Sequence, residues 1–156
     1  MNTKSKKALA VLIVFVLGLL AVNSTAAFAG GDVPCGCVRS PGYWKNHPEA
    51  WPGDWVIVGE EHYTNFEAIE IMEQPVKGDK TLTMFPALVA AKLNKRVAPS
   101  DCIRYTIYEA NAWMLAFPVG SGVKASSEAW QYSHGEALYE RLDAYNNGLL
   151  CAPACD

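Results

Sequence analysis

The sequence predicts a small, mainly α-helical domain of about four helices, with an N-terminal aromatic loop, a short β-hairpin and disulfide-stapled termini. Three observations support this fold class. Apolar residues recur every three or four positions in four segments after residue 64, which is the period of a helix. The stretch before them is rich in rings and prolines instead. Cysteine pairs stand near both ends of the chain that remains once an N-terminal leader is excluded.

The first 29 residues have the features of a secretory signal peptide. Three lysines precede an apolar run from Ala8 to Val22, and small residues at Ala27 and Ala29 suit a signal peptidase. The run is shorter than the roughly 20 residues that span a bilayer, although an uncleaved N-terminal anchor stays open. We therefore expect residues 1–29 to be removed and residues 30–156 to form a single exported domain, secreted or periplasmic/extracellular.

Charge and composition restrict the partners of the exported part. Removing the leader takes away three basic and no acidic residues, which leaves ten basic and sixteen acidic side chains and a net charge near −6. This balance argues against nucleic acid and anionic lipid as partners. No later segment is apolar enough for a membrane span, and the roughly 127 remaining residues suffice for one core.

All five cysteines follow the leader, and an exported chain meets an oxidising compartment, so disulfides are expected. Bridges between Cys35 or Cys37 and Cys151 or Cys155 would close loops of more than 100 residues, worth about 4 to 5 kcal/mol. Either pairing agrees with the sequence, and Cys102 is left unpaired. A four-cysteine zinc site at the same terminal cysteines and a catalytic Cys102 thiol are the alternatives.

The stretch SPGYWKNHPEAWPGDW, residues 40–55, is both stiff and aromatic, because its three prolines restrict φ and its two glycines favour turns. It serves either as a plug over the open end of a helix bundle or as a preorganised platform for a sugar or peptide. On a platform the rings would stack and the polar side chains would hydrogen-bond. The candidate ligand-binding residues are Tyr43, Trp44, Lys45, Asn46, His47 and Trp51.

The histidines raise the question of a metal site. His47 precedes Pro48, so it or Asn46 is expected to cap a short helix that begins there. Together with His62 in the hairpin and His134 in the last helix, His47 would suit zinc or copper if the fold brought the three together. No two histidines lie three or four positions apart. Because His134 falls on an apolar stripe, a hydrogen-bonded core histidine is the expected role there.

The hairpin and the first helix follow the aromatic stretch. WVIVGEEHYT, residues 55–64, contains two short extended runs around a Gly-Glu turn. Thr64 and Glu67 form a capping box that opens the first helix, and Pro75 follows its end. The apolar stripe of this helix is predicted to be Phe66, Ile69 and Met72.

A second helix is expected to begin at Asp79 as its N-cap, with Leu82, Phe85, Val89 and Leu93 on one stripe. Pro86 would kink it or mark a restart capped by Thr83.

The third and fourth helices complete the bundle. The third runs from Ser100 to Pro118 and is apolar almost all round, so we expect it to be central. Residues 119–126 read as a flexible loop. The fourth helix has Gly135 as a break and Gly148 as its C-cap. The predicted stripes are Ile103, Ile107, Ala110, Met114 and Phe117 on the third helix, and Trp130, His134, Leu138, Leu142 and Tyr145 on the fourth.

Motifs of catalysis are scarce in this sequence. It contains no G-x-S-x-G elbow, no H-E-x-x-H and no phosphate-binding glycine loop. Two carboxylates facing a sugar would act as the acid and base of a glycosidase, but glutamates at this spacing more simply describe the solvated face of a helix. No cofactor is expected. The glutamates in question are Glu60, Glu61, Glu67, Glu70 and Glu73.

Four segments of the chain carry a resemblance: CVRSPGYWKNHPEAWP, IVGEEHYT, AAKLN, and LDAYNNG followed by a cysteine. They resemble a family of secreted bacterial proteins with a GYWKNHPEAW signature, over about Cys37 to Cys151. In that family the module occurs alone or attached to larger surface proteins. The resemblance implies an extracellular domain of undefined activity, with no catalytic residues to carry over. Cys35, Cys155 and Pro86 depart from the family pattern.

These observations together predict a secreted, non-enzymatic structural or binding domain that engages carbohydrate or a cell-surface protein through the aromatic loop 40–55. The alternative function is a small metal-binding protein or metal-dependent hydrolase that uses His47, His62 and His134.

Overall fold

The computed structural model describes residues 36–155, so the leader and Cys35 lie outside the described residues. These residues belong to one compact unit. The mainly α prediction is confirmed, with six helices rather than four and one antiparallel hairpin in this part of the chain. None of these helices has the length and apolar character to cross a membrane. The elements are α1 Pro41–Asn46, a 3₁₀ helix Pro48–Ala50, β1 Trp55–Val58, β2 Glu61–Thr64, α2 Asn65–Glu73, α3 Thr81–Val97, α4 Arg104–Ala116, α5 Glu128–Gln131 and α6 Gly135–Asn146.

Helix α3 lies at the centre of the fold. Ten of its 17 residues are buried, and it contacts α1, α2, α4, α6 and β1. The prediction that the third helix, α4, is central is therefore wrong, because Tyr105 and Tyr108 on α4 are 68% and 71% exposed. Small side chains at Ala87, Ala90 and Ala91 are fully or almost fully buried and let neighbouring elements approach α3 on several sides.

The N-terminus of α2 forms as predicted, but its buried face is rotated. Thr64 Oγ1 accepts a hydrogen bond from the Glu67 backbone N–H at 3.3 Å, and the Thr64 N–H donates to the Glu67 carboxylate at 2.8 Å, which completes the capping box. Phe66 is 72% exposed, whereas Ala68 and Met72 are buried. The predicted place of Phe66 in the core is wrong, because the helix buries the face of Ala68 and Met72 instead.

Asp79 joins the start of α3 to the loop of residues 119–126. Its Oδ1 accepts hydrogen bonds from the Thr81 backbone N–H at 3.0 Å and from the Thr81 hydroxyl at 2.9 Å. Its Oδ2 accepts from the Gly122 N–H at 3.0 Å. The loop that the sequence predicted to be flexible is thus bound to a buried carboxylate. The helix then continues unbroken through Pro86, so the predicted restart does not occur.

The predicted fourth helix is divided into α5 and α6. His134, in the left-handed region at φ 59°, separates them, and the next residue, Gly135, has no room for a side chain. A Cβ there would lie 2.9 Å from atoms of both the Trp113 and Trp130 indoles. His134 is exposed, so its predicted core position is wrong, but the stripe from Leu138 onward is buried as expected.

The two ends of the domain are joined by backbone pairing and a disulfide. The Val38 N–H donates to the Pro153 carbonyl at 2.8 Å, and the Cys155 N–H donates to the Val38 carbonyl at 2.9 Å. The Cys37–Cys155 disulfide lies beside this pairing and links residues 118 positions apart. The prediction of disulfide-stapled termini is confirmed, and a loop of this length gives about 4 to 5 kcal/mol in the chain-entropy model.

The second disulfide joins Cys102 to Cys151, with Cα atoms 6.4 Å apart. The predictions that Cys102 is unpaired or a catalytic thiol are therefore wrong. The turn before α4 brings Cys102 to the C-terminal segment, a long-range contact that cysteine spacing does not reveal. Because Cys37, Cys151 and Cys155 are also in disulfides, the alternative four-cysteine zinc site is not formed.

The Asn94 side chain forms the most extensive buried hydrogen-bond network of the described residues. Its Oδ1 accepts from Trp44 Nε1 at 3.0 Å and from the Arg39 N–H at 2.9 Å. Its Nδ2 donates to the Arg39 carbonyl at 2.8 Å and to Asn146 Oδ1 at 3.0 Å. Asn146 in turn donates to the Ala87 carbonyl at 2.9 Å. One amide, with its full hydrogen-bonding capacity used, therefore connects the N-terminal segment, α1, α3 and α6.

Replacing Asn94 with leucine should lower the free energy of unfolding by about 3 kcal/mol or more, because the Trp44 indole N–H and the Asn146 amide would be left buried without their partner. Denaturation in guanidinium chloride measures this loss. The matched control is Asn147→Ala, which changes an exposed asparagine and should cost about 1 kcal/mol or less. Equal stability of the two variants would contradict the structural role of the network.

Candidate functional site

The aromatic stretch buries both of its candidate tryptophans. Trp44 and Trp51 belong to the core. The Trp44 indole donates to Asn94, and the Trp51 indole donates to the Trp44 carbonyl at 2.8 Å. With the N–H groups satisfied internally and the rings covered, neither indole offers a stacking surface. Both rings are packed inside the fold, which corrects the part of the platform prediction that depended on them.

The remaining predicted ligand residues lie at the surface, and two of them, Tyr43 and His47, contact each other. The His47 ring stacks on Tyr43 with centroids 4.4 Å apart, and the Arg39 guanidinium lies 4.0 Å from the Tyr43 centroid. His47 caps neither short helix with its side chain: Nδ1 lies 3.0 Å from Glu49 Oε1, and Ser40 caps α1. The residues placed partly or fully at the surface are Tyr43, Lys45, Asn46 and His47.

The three histidines are not brought together. His62 lies on β2 beside Trp55, with ring centroids 5.3 Å apart, whereas His134 lies before α6. Across residues 36–155, no three His, Cys, Asp or Glu side chains are grouped so that they could hold a metal ion. The site of His47, His62 and His134 that the sequence left open is therefore not formed by these residues. The five glutamates considered for glycosidase chemistry are all exposed.

A groove of about 840 Å³ lies between α4 and α6 and has aromatic and hydrogen-bonding walls. The two largely exposed tyrosines of α4, Tyr105 and Tyr108, lie at this groove. Arg141 Nε on α6 donates to Thr106 Oγ1 on α4 at 3.0 Å, which connects the two walls. The aromatic and polar side chains that line the groove include Tyr105, Tyr108, Glu109, Trp113, His134 and Arg141.

The groove has hydrogen-bonding groups beside its aromatic rings. Interaction with the neighbouring Glu109 carboxylate, by hydrogen bonding and then by its charge, raises the pKa of the Tyr105 phenol. Arg141 and His134 supply donors, and Glu109 supplies an acceptor. Among the groove residues, Cys102 is held in a disulfide, and the Thr106 hydroxyl accepts from Arg141. The arrangement can therefore stack a ring and hydrogen-bond its polar edge.

Sequence reasoning missed this groove because it assigned α4 to the centre of the fold. Tyr105 and Tyr108 are three positions apart, so they share one face of α4, and that face is separate from the buried face of Ala110 and Met114. Two tyrosines on one helix face, followed directly by Glu109, were the available signal. Periodicity counts both rings as apolar, although each carries a hydroxyl that favours partial exposure.

A second polar network surrounds Lys92 on α3. The Lys92 ammonium donates to the Ile57 carbonyl at 2.6 Å and to Asn111 Oδ1, which also accepts from the Gly59 N–H at 3.2 Å. Burial, followed by the nearby charge of Arg96, lowers the pKa of Lys92 to about 8. The network ties the hairpin to α3 and α4. It also holds a cation that has no carboxylate partner among the described residues, a feature frequent in functional sites.

Comparisons of the chain with protein-family models, with curated proteins and with solved structures found no match in any of the three. The resemblance to the GYWKNHPEAW family stays a prediction.

Lys92 should make stability depend on pH. Its pKa of about 8 in the folded state lies below its ordinary value of 10.5, so the unfolded chain binds more protons between these two pH values. Relative to Lys92→Met, the free energy of unfolding of the wild type should rise by about 1 to 3 kcal/mol as pH increases from 8 towards 10.5. Below pH 8 the difference should be constant.

Urea denaturation at several pH values measures this dependence. Lys95 and Arg96, the charged groups that line the same pocket as Lys92, are present in both proteins and cancel in the comparison. Lys124→Met, at an exposed lysine, is the control and should follow the wild type. A pH-independent difference between the wild type and Lys92→Met would contradict the assigned pKa.

Proposed function

We propose that this protein is an exported, non-enzymatic binding domain that takes a carbohydrate in the groove between α4 and α6. The observation that carries the proposal is the pair Tyr105 and Tyr108, exposed on one face of α4 beside Glu109 and opposite Arg141. Two disulfides agree with export, because such bonds persist in oxidising compartments. The proposal keeps the predicted function and moves the ligand site from loop 40–55 to the groove.

A sugar matches this groove in shape and polarity. Its ring has an apolar C–H face that packs against a tyrosine ring, and its rim of hydroxyls needs donors and acceptors nearby. Tyr105 and Tyr108 supply the rings, Arg141 supplies donors, and Glu109 supplies an acceptor. The volume of about 840 Å³ falls within the range of ligand sites.

The walls of the groove are preorganised, which favours binding. Both tyrosines stand on a helix of 13 residues, so their backbone loses little freedom when a ligand binds. The Arg141–Thr106 hydrogen bond and the Cys102–Cys151 disulfide connect α4 to α6 and to the C-terminal segment. Little binding energy is therefore spent on ordering the backbone of the site.

The double variant Tyr105→Ala/Tyr108→Ala should weaken carbohydrate binding at least tenfold, which corresponds to about 1.4 kcal/mol. Its melting temperature should stay close to that of the wild type, because both rings are largely exposed. Screening against a glycan array, followed by calorimetric titration with a bound oligosaccharide, makes the measurement. The matched control is Phe66→Ala, which removes an equally exposed ring from α2.

Two results would count against the groove. If no glycan on the array binds the wild-type protein, the carbohydrate proposal is wrong. If a glycan binds the double variant as tightly as the wild type but loses affinity for Tyr43→Ala/His47→Ala, the ligand site is the surface patch of loop 40–55 instead.

A further inference from the structure

A pocket of about 430 Å³ between the hairpin and α3 has an unusual charge pattern. Its lining residues are Trp55, Ile57, Lys92, Lys95, Arg96 and Ile107. All three charged residues are positive, although the whole chain carries more acidic than basic side chains. Like charges confined to one pocket repel one another, so this grouping is unfavourable unless something offsets it.

None of the three cations is neutralised by the described residues. The ion pairs in this part of the chain are His47–Glu49 and Arg104–Asp101. The Lys92 ammonium contacts only neutral oxygens, the Ile57 carbonyl and Asn111 Oδ1. Three cations without a counterion leave the pocket complementary to an anion.

The remaining walls of the pocket are apolar or aromatic. The Trp55 side chain is 47% exposed, whereas tryptophan is highly buried on average. The Arg96 guanidinium lies 5.2 Å from the Trp55 ring centroid, and its Nη1 donates to the Trp55 carbonyl at 3.0 Å. Arg96 is thereby oriented beside the ring, and Ile57 and Ile107 add hydrocarbon surface. A ligand with a carbon body as well as a charge would use all of these surfaces.

We propose that this pocket binds a small organic anion, with a carboxylate or phosphate head against Lys92, Lys95 and Arg96 and a carbon body against Trp55. This site is separate from the α4–α6 groove and does not depend on the carbohydrate proposal. Charge-assisted hydrogen bonds to Arg and Lys are stronger than neutral ones. Arginine binds either head through two parallel N–H groups.

The part of the pocket that can be varied safely is the last turn of α3. Lys92 also ties the hairpin to Asn111, so its replacement would change stability as well as binding. Lys95 and Arg96 lie near the C-terminus of the helix and are partly or fully exposed. Substitutions there should leave the fold intact, which the melting temperature checks.

The experiment titrates the full domain at neutral pH with four probes: sodium glucuronate, sodium benzoate, glucose 6-phosphate and inorganic phosphate. Binding is followed by calorimetry and by the NMR signal of the Trp55 indole N–H. We expect at least one organic anion to bind at millimolar concentration or tighter and to shift that signal. Lys95→Gln/Arg96→Gln should weaken binding at least fivefold, and the control Lys124→Gln should not.

The probes separate the two head groups. Tighter binding of glucuronate or benzoate than of glucose 6-phosphate would support a carboxylate, and the reverse would support a phosphate. Inorganic phosphate binding as tightly as the organic anions would overturn the role of the carbon body.

The proposal as a whole is overturned if no probe binds saturably, or if the Lys95→Gln/Arg96→Gln protein binds like the wild type. Glucuronate binding should persist in Tyr105→Ala/Tyr108→Ala, which separates this site from the groove.

Discussion

The buried amide of Asn94 is the interaction on which the rest of this fold depends. It accepts and donates across the interface between the N-terminal segment, the central helix and the last helix, through Trp44, Arg39 and Asn146. A buried polar group of this kind is favourable only when every partner is in place. The segments that carry Trp44, Asn94 and Asn146 are also three of the four on which the predicted resemblance to the GYWKNHPEAW family rests. The network therefore gives a structural reason for these three segments to occur together, because their side chains hydrogen-bond to one another.

The two proposed binding surfaces follow from this arrangement. Asn94 and Asn146 hold α6 against α3, and Lys92, two residues before Asn94, holds α4 and the hairpin through Asn111. The groove between α4 and α6 is therefore bounded by helices that are both attached to α3. The cationic pocket lies beside Lys92 and includes Ile57, whose carbonyl accepts a hydrogen bond from the Lys92 ammonium. Both disulfides connect to the C-terminal segment. They link it to the N-terminal segment through Cys37 and to the turn before α4 through Cys102.

Sequence reasoning succeeded where the determining interactions are local. The capping box of Thr64 and Glu67 involves residues three apart, and it formed as predicted. The hairpin turn at Gly59 and Glu60 did so as well, since both residues adopt positive φ. It failed where distant residues decide the outcome. Cys102 finds Cys151 across 49 positions, and periodicity does not distinguish a tryptophan that covers a core from one that faces a ligand.

Amide hydrogen exchange at Arg39 tests the central role of Asn94 most directly. The Arg39 N–H donates to Asn94 Oδ1, although Arg39 lies in an irregular segment before the first helix. If the network secures the fold, this amide should exchange only through global unfolding, with the same protection as the slowest amides of α3. Exchange of Arg39 through a local opening, far faster than that of α3, would show that the N-terminal segment detaches while the core remains folded. That result would contradict the account.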